Sequence, residues 1–387
     1  MHEGSAPGRA RAPATLERAA ATCRALCVAL ACAAAAPRVA GFTPTARYGH
    51  CTFVAGGKMY ALGGAPFQTQ NLSHELMVFD PADRSWALLN DAATGSAPPG
   101  IEGHACTPHA TLPLVYVTGG NLASTGVTNR TWILDISDAR SPRWTRGPEL
   151  TTAVRRHTAV LSGLELILMG GSRGPSCQEN LTDAVLIAKT TGGGLSGFSE
   201  IPTTGTGPGP RMGHIAVLQQ PQSSQRMYVL AGQTSNNCSA DGFQNDVHVL
   251  DLQTRTWSVV LSAGKAPRRR YGPTGWWNAA HNGVQITGGT CGAACGACGH
   301  ANDTFLLRLS SNKPHVGTWE PTKTRGQGPP PRDRHCSVLL KADEVLDWGG
   351  FVDSHTVPPQ WPTDVYALSL GGTAEWTDLS ERKTAEL

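Results

Sequence analysis

The stretch RYGHCTFVAGGKMYALGG, residues 47–64, decides the fold because it contains two landmarks that return along the chain. An arginine stands three residues before a histidine, two short apolar runs follow, and a glycine doublet ends the second run. A third landmark, Trp86, comes after the strand-like run LMVFD at residues 76–80. Short apolar runs punctuated by glycine predict β-strands joined by tight turns.

The same three landmarks recur in the same order six times. The doublet, or its counterpart, begins at residues 63, 119, 170, 231, 288 and 349. The histidine position holds His50, His104, His157, His214, Pro273 and His335. The tryptophan position holds Trp86, Trp144, Phe198, Trp257, Trp319 and Trp376. Self-similarity at a long, nearly fixed period indicates a repeat architecture, although Ala231, Phe198 and Pro273 depart from the pattern.

With these landmarks the chain resembles the kelch-repeat family, which includes secreted kelch proteins and the central domain of the galactose-oxidase type. The resemblance covers residues 42–380. It implies an all-β fold, a six-bladed β-propeller of four-stranded antiparallel blades. The composition agrees, because 45 glycines and only 16% charged residues argue against a helical bundle, and 40% hydrophobic residues argue against disorder.

The two ends of the chain differ from the repeats. Residues 1–40 combine a basic stretch with an apolar run at 25–36, which predicts a signal peptide and leader, and therefore secretion. An organelle transit peptide is the alternative interpretation. The apolar run is too short to span a membrane. Residues 381–387 are interpreted as a C-terminal tail.

The charge distribution excludes one class of function. Residues 1–40 hold five arginines and two glutamates, 5 − 2 = 3, which accounts for the whole net charge of +3. The propeller region is therefore neutral and lacks the basic surface of a nucleic-acid binder.

Two sets of residues fit a secreted glycoprotein. Glycosylation sequons occur in the b–c segment after five of the doublets, at Asn71, Asn129, Asn180, Asn237 and Asn302. Eight cysteines lie beyond the leader, and an even number suits disulfide bonds in an oxidising compartment. The candidates are Cys51 with Cys336, Cys177 with Cys238, and the cluster Cys291, Cys295 and Cys298. Zinc binding by that cluster is the alternative interpretation.

The arginines of the first landmark are the main candidates for ligand binding. They are Arg47, Arg156, Arg211, Arg270 and Arg332, and Trp361 in the sixth b–c loop is added to them. Some kelch proteins recognise acidic peptides through arginines in this part of the blade, and the resemblance implies a similar role here. A guanidinium group pairs well with a carboxylate. Alternatively, these arginines and the repeated histidines satisfy backbone carbonyls between blades.

The resulting hypothesis is a secreted propeller that binds a protein or a glycan through the face formed by its d–a and b–c loops. No cofactor, metal site or catalytic residue is predicted, and no membrane span. The alternative is an enzyme acting on an acidic sugar, similar to a sialic-acid mutarotase, with proton transfer by Arg47, His50 and Glu102.

Overall fold

The computed structural model describes residues 42–67, 71–174, 180–221, 225–234, 242–292, 299–352 and 363–380. The predicted leader and C-terminal tail lie outside these ranges. So do Trp361, Asn237, Cys177, Cys238, Cys295 and Cys298. Within the described ranges the protein is built of short strands, with 3-10 turns at Asn90–Ala92 and Ala279–His281 and no α-helix.

Within these ranges the strands form six main sheets, called blades, in which the antiparallel strands a, b, c and d follow one another in sequence. Blade 1 contains Cys51–Ala55, Lys58–Leu62, Leu76–Asp80 and Ser85–Leu88. Blade 2 contains Ala105–Pro108, Leu114–Thr118, Thr131–Asp135 and Arg143–Arg146. Blade 3 contains Thr158–Ser162, Glu165–Met169, Val185–Thr191 and Ser199–Glu200, and Gly194–Leu195 also pairs with its third strand.

Blade 4 contains Ile215–Leu218, Arg226–Leu230, Val247–Asp251 and Thr256–Val259. Blade 5 contains Thr274–Asn278, Gly283–Thr287, Thr304–Leu309 and Val316–Pro321. Blade 6 contains Cys336–Lys341, Glu344–Trp348, Val365–Ser369 and Ala374–Asp378. The predicted all-β kelch propeller is therefore confirmed, and its sheets are those that the repeated landmarks mark out.

Short strands in the connections complete the sheets. Four blades gain a parallel strand outside strand d from the connection that leads into them: Thr94–Gly95, Thr204–Gly205, Leu261–Gly264 and Thr324–Arg325. Two small sheets flank the first strands of blades 1 and 2, namely Arg47–Tyr48 with Ala65–Pro66, and Ile101–Glu102 with Asn121–Leu122 and Gly126–Val127. The parallel outer strands protect the edges of the blades that carry them.

Backbone hydrogen bonds close the blades into a ring around a central axis. The residue before each landmark histidine, or before Pro273, donates its N–H to the carbonyl of its counterpart in the preceding blade, at N–O distances of 2.6–3.1 Å. The six residues of this backbone ring are Gly49, Gly103, Arg156, Gly213, Gly272 and Arg334. Gly49 donates to Arg334, so blade 1 is joined to blade 6 by the same bond as every other pair.

A second set of bonds runs in the opposite sense. The second residue of each doublet donates its N–H to a carbonyl of the following blade, at 2.8–2.9 Å. These pairs are Gly64–Ile101, Gly120–Val154, Gly171–Arg211, Gly232–Arg270, Gly289–Arg332 and Gly350–Arg47. Each junction between blades therefore carries reciprocal backbone bonds, which satisfy polar groups that burial would otherwise leave unpaired.

The hydrophobic core lies between neighbouring blades. The aromatic residue on strand d, or directly before it in blade 3, is buried in blades 2 to 6, from Trp319 at 2% exposure to Phe198 at 8%. One cluster joins blades 1 and 2 and another joins blades 4 and 5. A single blade has two faces to cover, so packing blade against blade is what buries its apolar side chains.

The glycine doublet fits against histidines of two blades. A Cβ on the first glycine would lie only 2.4–2.9 Å from Cε1 of the next blade's landmark histidine. The pairs are Gly63–His104, Gly119–His157, Gly170–His214, Gly288–His335 and Gly349–His50. At the remaining junction, between blades 4 and 5, Ala231 replaces the glycine and Pro273 replaces the histidine. Two of the three departures from the repeat thus fall at one junction, where the landmark residue of the next blade is not a histidine.

Candidate functional site

The axis opens at a mouth, on the face where strands a begin and strands b end. A cavity of about 160 Å³ lies here, lined by the backbone ring, the residues that follow it and the side chain of Tyr271. The d–a connections and the segments after the doublets reach this same face, because both adjoin the ends of strands a and b that carry the landmarks. This is the face that the sequence indicated for binding.

The five landmark histidines form a neutral layer around the cavity. Each is 4–6% exposed. Burial lowers the pKa of His104 to about 3, of His157 to about 4 and of His214 to about 3. Burial also lowers the pKa of His50 and His335. Because all five imidazoles are uncharged at neutral pH, they pack between the blades rather than attract an anion.

Hydrogen bonding differs among these histidines. Nε2 of His157 lies 2.9 Å from Oγ1 of Thr118, and Nε2 of His214 lies 2.9 Å from Oγ1 of Thr158. His50 and His104 have no hydrogen bond of normal geometry at either ring nitrogen. The Leu62 carbonyl lies near the His104 ring without reaching that geometry. His104 is thus a buried imidazole that, among the described residues, makes no hydrogen bond of normal geometry, which is unusual in a folded protein.

Four of the five predicted binding arginines lie in the interior. Arg47, Arg211, Arg270 and Arg332 are at most 1% exposed. Each donates through Nη1 to the carbonyl of the first doublet residue in its own blade, at 2.8–3.2 Å. Each guanidinium also pairs with an acidic side chain: Glu75, Asp246, Asp303 and Asp347 respectively. These contacts match the alternative interpretation, in which the arginines satisfy carbonyls.

The fifth arginine, Arg156, belongs to a different position of the repeat. The residue three before His157 is Val154, which is 3% exposed and accepts the bond from Gly120. Arg156 instead occupies the backbone ring, immediately before the histidine, as Arg334 does in blade 6. Grouping Arg156 with the buried arginines was therefore wrong, and Arg334 is its true counterpart. Counting back three residues from His157 would have shown this in the sequence.

Arg156 and Arg334 are the arginines that reach the mouth. Their φ angles are +54° and +51°, in the left-handed region that glycine occupies at the other four ring positions. Their side chains are 19% and 20% exposed. Each side-chain stem lies over the ring glycine of the preceding blade, Gly103 or Gly272. Since these arginines stand in blades 3 and 6, they flank the mouth from opposite sides.

Aromatic rings and an acid hold Arg334 in place. Its guanidinium carbon lies 4.3 Å from the ring centre of Tyr48 and 5.0 Å from that of Phe351. Its Nε donates to Oδ2 of Asp333 at 3.0 Å. Phe67 packs against both aromatic rings, with centroids 5.3 Å apart in each case. Within the described part of the chain, Nη1 and Nη2 of Arg334 make no hydrogen bond, and Arg334 is one of the residues that line the cavity.

The opposite side of the mouth carries a second charged group. Arg155 donates to Oε1 of Glu102 at 2.9 Å, and Nε of Arg156 is 4.0 Å from Oε2 of the same carboxylate. The guanidinium of Arg156 also lies 5.9 Å from the ring centre of Tyr271. The hydroxyl of Tyr271 is buried and has no hydrogen-bond partner among the residues that the structure describes. The sequence analysis names Glu102 only as a proton-transfer residue of the enzymatic alternative, and its pairing with Arg155 is visible only in the structure.

The residues of the enzymatic alternative are not arranged as a catalytic group. Arg47 is fully buried and paired with Glu75. His50 is 4% exposed, and burial keeps its pKa well below the usual value. Glu102 pairs with Arg155. Of the three, only Glu102 belongs to the charged groups at the mouth described above, so this geometry gives no support to proton transfer among them.

Cys51 forms a disulfide, as predicted, but its predicted partner Cys336 was wrong. Cys51 bonds to Cys106 of blade 2, with Cα atoms 5.7 Å apart, and Cys336 is a free thiol. Neighbouring strands a are staggered, so the first residue after the histidine faces the second residue of the next blade. Thr274 and Ser337 meet in this way, since Oγ1 of Thr274 accepts from the N–H of Ser337. Cys336 therefore faces the region of Thr52 rather than Cys51.

Glycosylation of the predicted asparagines and the pairing of the remaining cysteines stay predictions. Cys291 is disulfide-bonded. Asn71, Asn180 and Asn302 are exposed, whereas Asn129 is half-buried and donates from Nδ2 to Glu149 and Leu150. Since Nδ2 is the atom that a glycan would modify, Asn129 is the least available of the four described sequons. Among the described residues there is no helix long and apolar enough to cross a bilayer.

Fold and mouth together define a β-propeller with arginines set into its axial ring. The chain belongs to the kelch-repeat family, because residues 156–386 match the KLHDC2/KLHL20/DRC7 kelch-repeats domain. It is similar to host cell factor 2 of Homo sapiens, at 30% identity over 60% of this chain and 30% of that protein.

Two further relatives span different fractions of their own length. Acyl-CoA-binding domain-containing protein 5 of Arabidopsis thaliana is 28% identical over 62% of this chain and 36% of its own. Kelch domain-containing protein 3 of Rattus norvegicus is 25% identical over 61% of this chain and 74% of its own. The chain thus spans about a third of the first two relatives, 30% and 36%.

Proposed function

We propose that this chain is a protein-binding module whose mouth captures an acidic segment of its partner. The observation that carries the proposal is the pair Arg156 and Arg334. Both occupy left-handed positions of the backbone ring, where glycine makes the same hydrogen bond in the other four blades. A non-glycine residue held at such a φ costs about 1–3 kcal/mol. The backbone gains nothing from arginine here, whereas the mouth gains a guanidinium group.

Arg334 is prepared to bind a carboxylate. The rings of Tyr48 and Phe351 fix its plane, and Asp333 engages its Nε, so the terminal nitrogens remain for a ligand. A side chain that is already ordered loses little entropy on binding. Arginine is suited to this task because its terminal N–H groups meet both oxygens of a carboxylate at once.

The surroundings favour a protein segment that is acidic and carries an apolar residue. Tyr48, Phe67 and Phe351 are half-buried and touch one another beside the guanidinium. Aromatic residues together with arginine are typical of the residues that dominate protein interfaces. Arg155, Arg156 and Arg334 outnumber Glu102 and Asp333, which leaves the mouth with a positive excess.

Selection from a random peptide library displayed on phage tests this proposal. We expect the wild-type chain to enrich acidic peptides. Synthetic versions should then bind Arg334→Gln about 10–100-fold more weakly, since a hydrogen bond to a charged group contributes about 1.5–3 kcal/mol. The affinities are measured by fluorescence anisotropy at two salt concentrations, because a charge-assisted contact weakens as salt rises.

Arg308→Gln is the matched control. Arg308 is exposed on blade 5 and pairs there with Glu320, so its loss should leave peptide affinity unchanged. Circular dichroism checks that each variant is folded. Equal affinity of Arg334→Gln and the wild type for the selected peptides, or enrichment of peptides without acidic residues, would contradict the proposal.

A further inference from the structure

The junction between blades 1 and 2 holds three side chains of the kinds that bind zinc. The side-chain ligand atoms of Cys51, His104 and Cys106 all lie within 4.8 Å of one another. His104 and Cys106 are two residues apart at the start of strand a of blade 2, so both project toward blade 1. Cys51 approaches from strand a of blade 1, where it forms the disulfide with Cys106.

His104 is the member of this group whose environment is incomplete. It is 6% exposed, and neither ring nitrogen makes a hydrogen bond of normal geometry. The junction between blades 3 and 4 shows what is missing. There, Thr158 occupies the position of Cys51, and its hydroxyl lies 2.9 Å from Nε2 of His214. A disulfide sulfur carries no hydrogen, so the oxidised Cys51 cannot serve His104 as Thr158 serves His214.

We propose that reduction of the Cys51–Cys106 disulfide converts this junction into a zinc site with Cys51, Cys106 and His104 as ligands. Reduction adds two electrons and two protons to the disulfide and leaves two thiols. Zinc then displaces both thiol protons and is held by two thiolates and one imidazole nitrogen. Two sulfurs and one nitrogen are a ligand set that favours zinc among the common divalent ions.

The geometry of the junction suits both states. Zinc lies about 2.3 Å from sulfur and about 2.0 Å from nitrogen, so its ligand atoms are roughly 3.5–3.8 Å apart in a tetrahedral site. The three ligand atoms are already within 4.8 Å, and three of four coordination positions would be filled by the protein. The same two blades are therefore cross-linked whether the cysteines are joined to each other or to the metal.

Cobalt(II) is the probe, because tetrahedral thiolate coordination gives it intense visible bands and a thiolate charge-transfer band in the near ultraviolet. The full chain is reduced with a phosphine, which becomes a phosphine oxide by taking oxygen from water and supplies the two electrons. The reduced wild type is titrated beside Cys106→Ser, a residue that blade 6 carries naturally as Ser337. We expect the wild type to bind one cobalt ion more than the variant, and zinc to displace that ion.

Cys336→Thr is the matched control. Cys336 occupies the position of Cys51 in blade 6, and its single thiol donates to the carbonyl of His50 at 3.1 Å. This variant should bind as much cobalt as the wild type. Cysteines elsewhere in the chain contribute equally to all three proteins, so the difference between them reports on the junction alone.

A second variant and a second measurement keep the test valid if Cys106→Ser does not fold. Cys51→Thr, which places the residue of Thr158 in blade 1, should lose the same single cobalt ion. Zinc should raise the thermal midpoint of the reduced wild type by several degrees more than that of either cysteine variant of the junction. Equal cobalt stoichiometry in the wild type and the folded variant, or equal midpoints, would overturn the proposal.

Discussion

The junction between blades 5 and 6 and the junction between blades 4 and 5 pack the same backbone turn in two ways. At the first, Gly288 lies against the ring of His335, where a methyl group would come within 2.4 Å of Cε1. At the second, Ala231 carries that methyl group at φ +63°, and Pro273 stands at the histidine position of the next blade. The comparison separates two reasons for glycine at the first position of the doublet, namely the left-handed φ and the space beside the next blade's histidine. Alanine adopts the left-handed φ at the junction where the next blade has no histidine at the landmark position. The ring of the next blade is what requires glycine.

The largest change in stability is expected when the alanine found at the junction between blades 4 and 5 is introduced at the junction between blades 5 and 6. Gly288→Ala should lower the free energy of unfolding by about 3 kcal/mol, since overpacking costs about 1–3 kcal/mol and an alanine at positive φ adds about 1–2 kcal/mol. Urea unfolding followed by tryptophan fluorescence measures this change. The loss comes mainly from the contact with His335.

Gly163→Ala is the control for that measurement. Gly163 has φ +59°, and a Cβ there would meet no atom within 4 Å. This variant should lose only about 1–2 kcal/mol, the conformational cost alone. If the two variants lost the same free energy, the contact with the histidine ring would have no energetic importance.

A smaller effect is expected from giving the exceptional junction the missing ring. Pro273→His places an imidazole against the methyl group of Ala231 and should destabilise the protein by about 2 kcal/mol. Adding Ala231→Gly should recover most of the loss, with a coupling energy of about 1–2 kcal/mol in the double-mutant cycle. Additive free energies for the two substitutions would show that these positions do not act together.

The histidine layer itself predicts a dependence of stability on pH. Burial, with Arg211 and His157 nearby, lowers the pKa of His214 to about 3. A histidine with a depressed folded pKa contributes stability that is complete above its unfolded pKa of about 6.5 and is lost as the pH falls. The free energy of unfolding should therefore decrease from pH 6.5 to pH 5. Each such histidine adds at most about 1.4 kcal/mol per pH unit to the slope.

His214→Gln tests the contribution of one histidine to that slope. The variant should have a lower free energy of unfolding at pH 7. Its free energy of unfolding should also change less steeply with pH, by the equivalent of up to one proton taken up on unfolding, when urea unfolding is measured at several pH values. Asp246 and the other paired acids titrate in both proteins and cancel in the difference. An unchanged slope would mean that His214 is not neutral in the folded state.

The sequence predicted the fold because its landmarks report on local backbone geometry. The doublets mark the ends of strands b, and Arg47, Arg211, Arg270 and Arg332 mark the starts of strands a, where they bind carbonyls. The sequence also indicates that the doublet and the histidine depend on each other. The doublet pattern fails only at Ala231, and the histidine pattern fails only at Pro273 of the next repeat. That signal lies in the coincidence of the two exceptions and not in either exception alone.

Other features depend on geometry that no single strand encodes. The Cys51–Cys106 bond follows from the stagger between strands a of adjacent blades. This stagger places the first residue after one landmark histidine beside the second residue after the next one. The role of Arg334 depends on Tyr48 and Phe351, which come from blades 1 and 6. Those blades are furthest apart in the sequence, so only closure of the ring brings these residues together.

Reciprocal backbone bonds at all six junctions have a consequence for how the gene can be rearranged. The bonds from Gly49 to Arg334 and from Gly350 to Arg47 are the same as those between blades joined directly by the chain. Each blade also takes its four strands from one continuous segment. Circular permutation that moves the termini to the connection between blades 3 and 4 would thus keep every contact between blades, and only the order of synthesis would change.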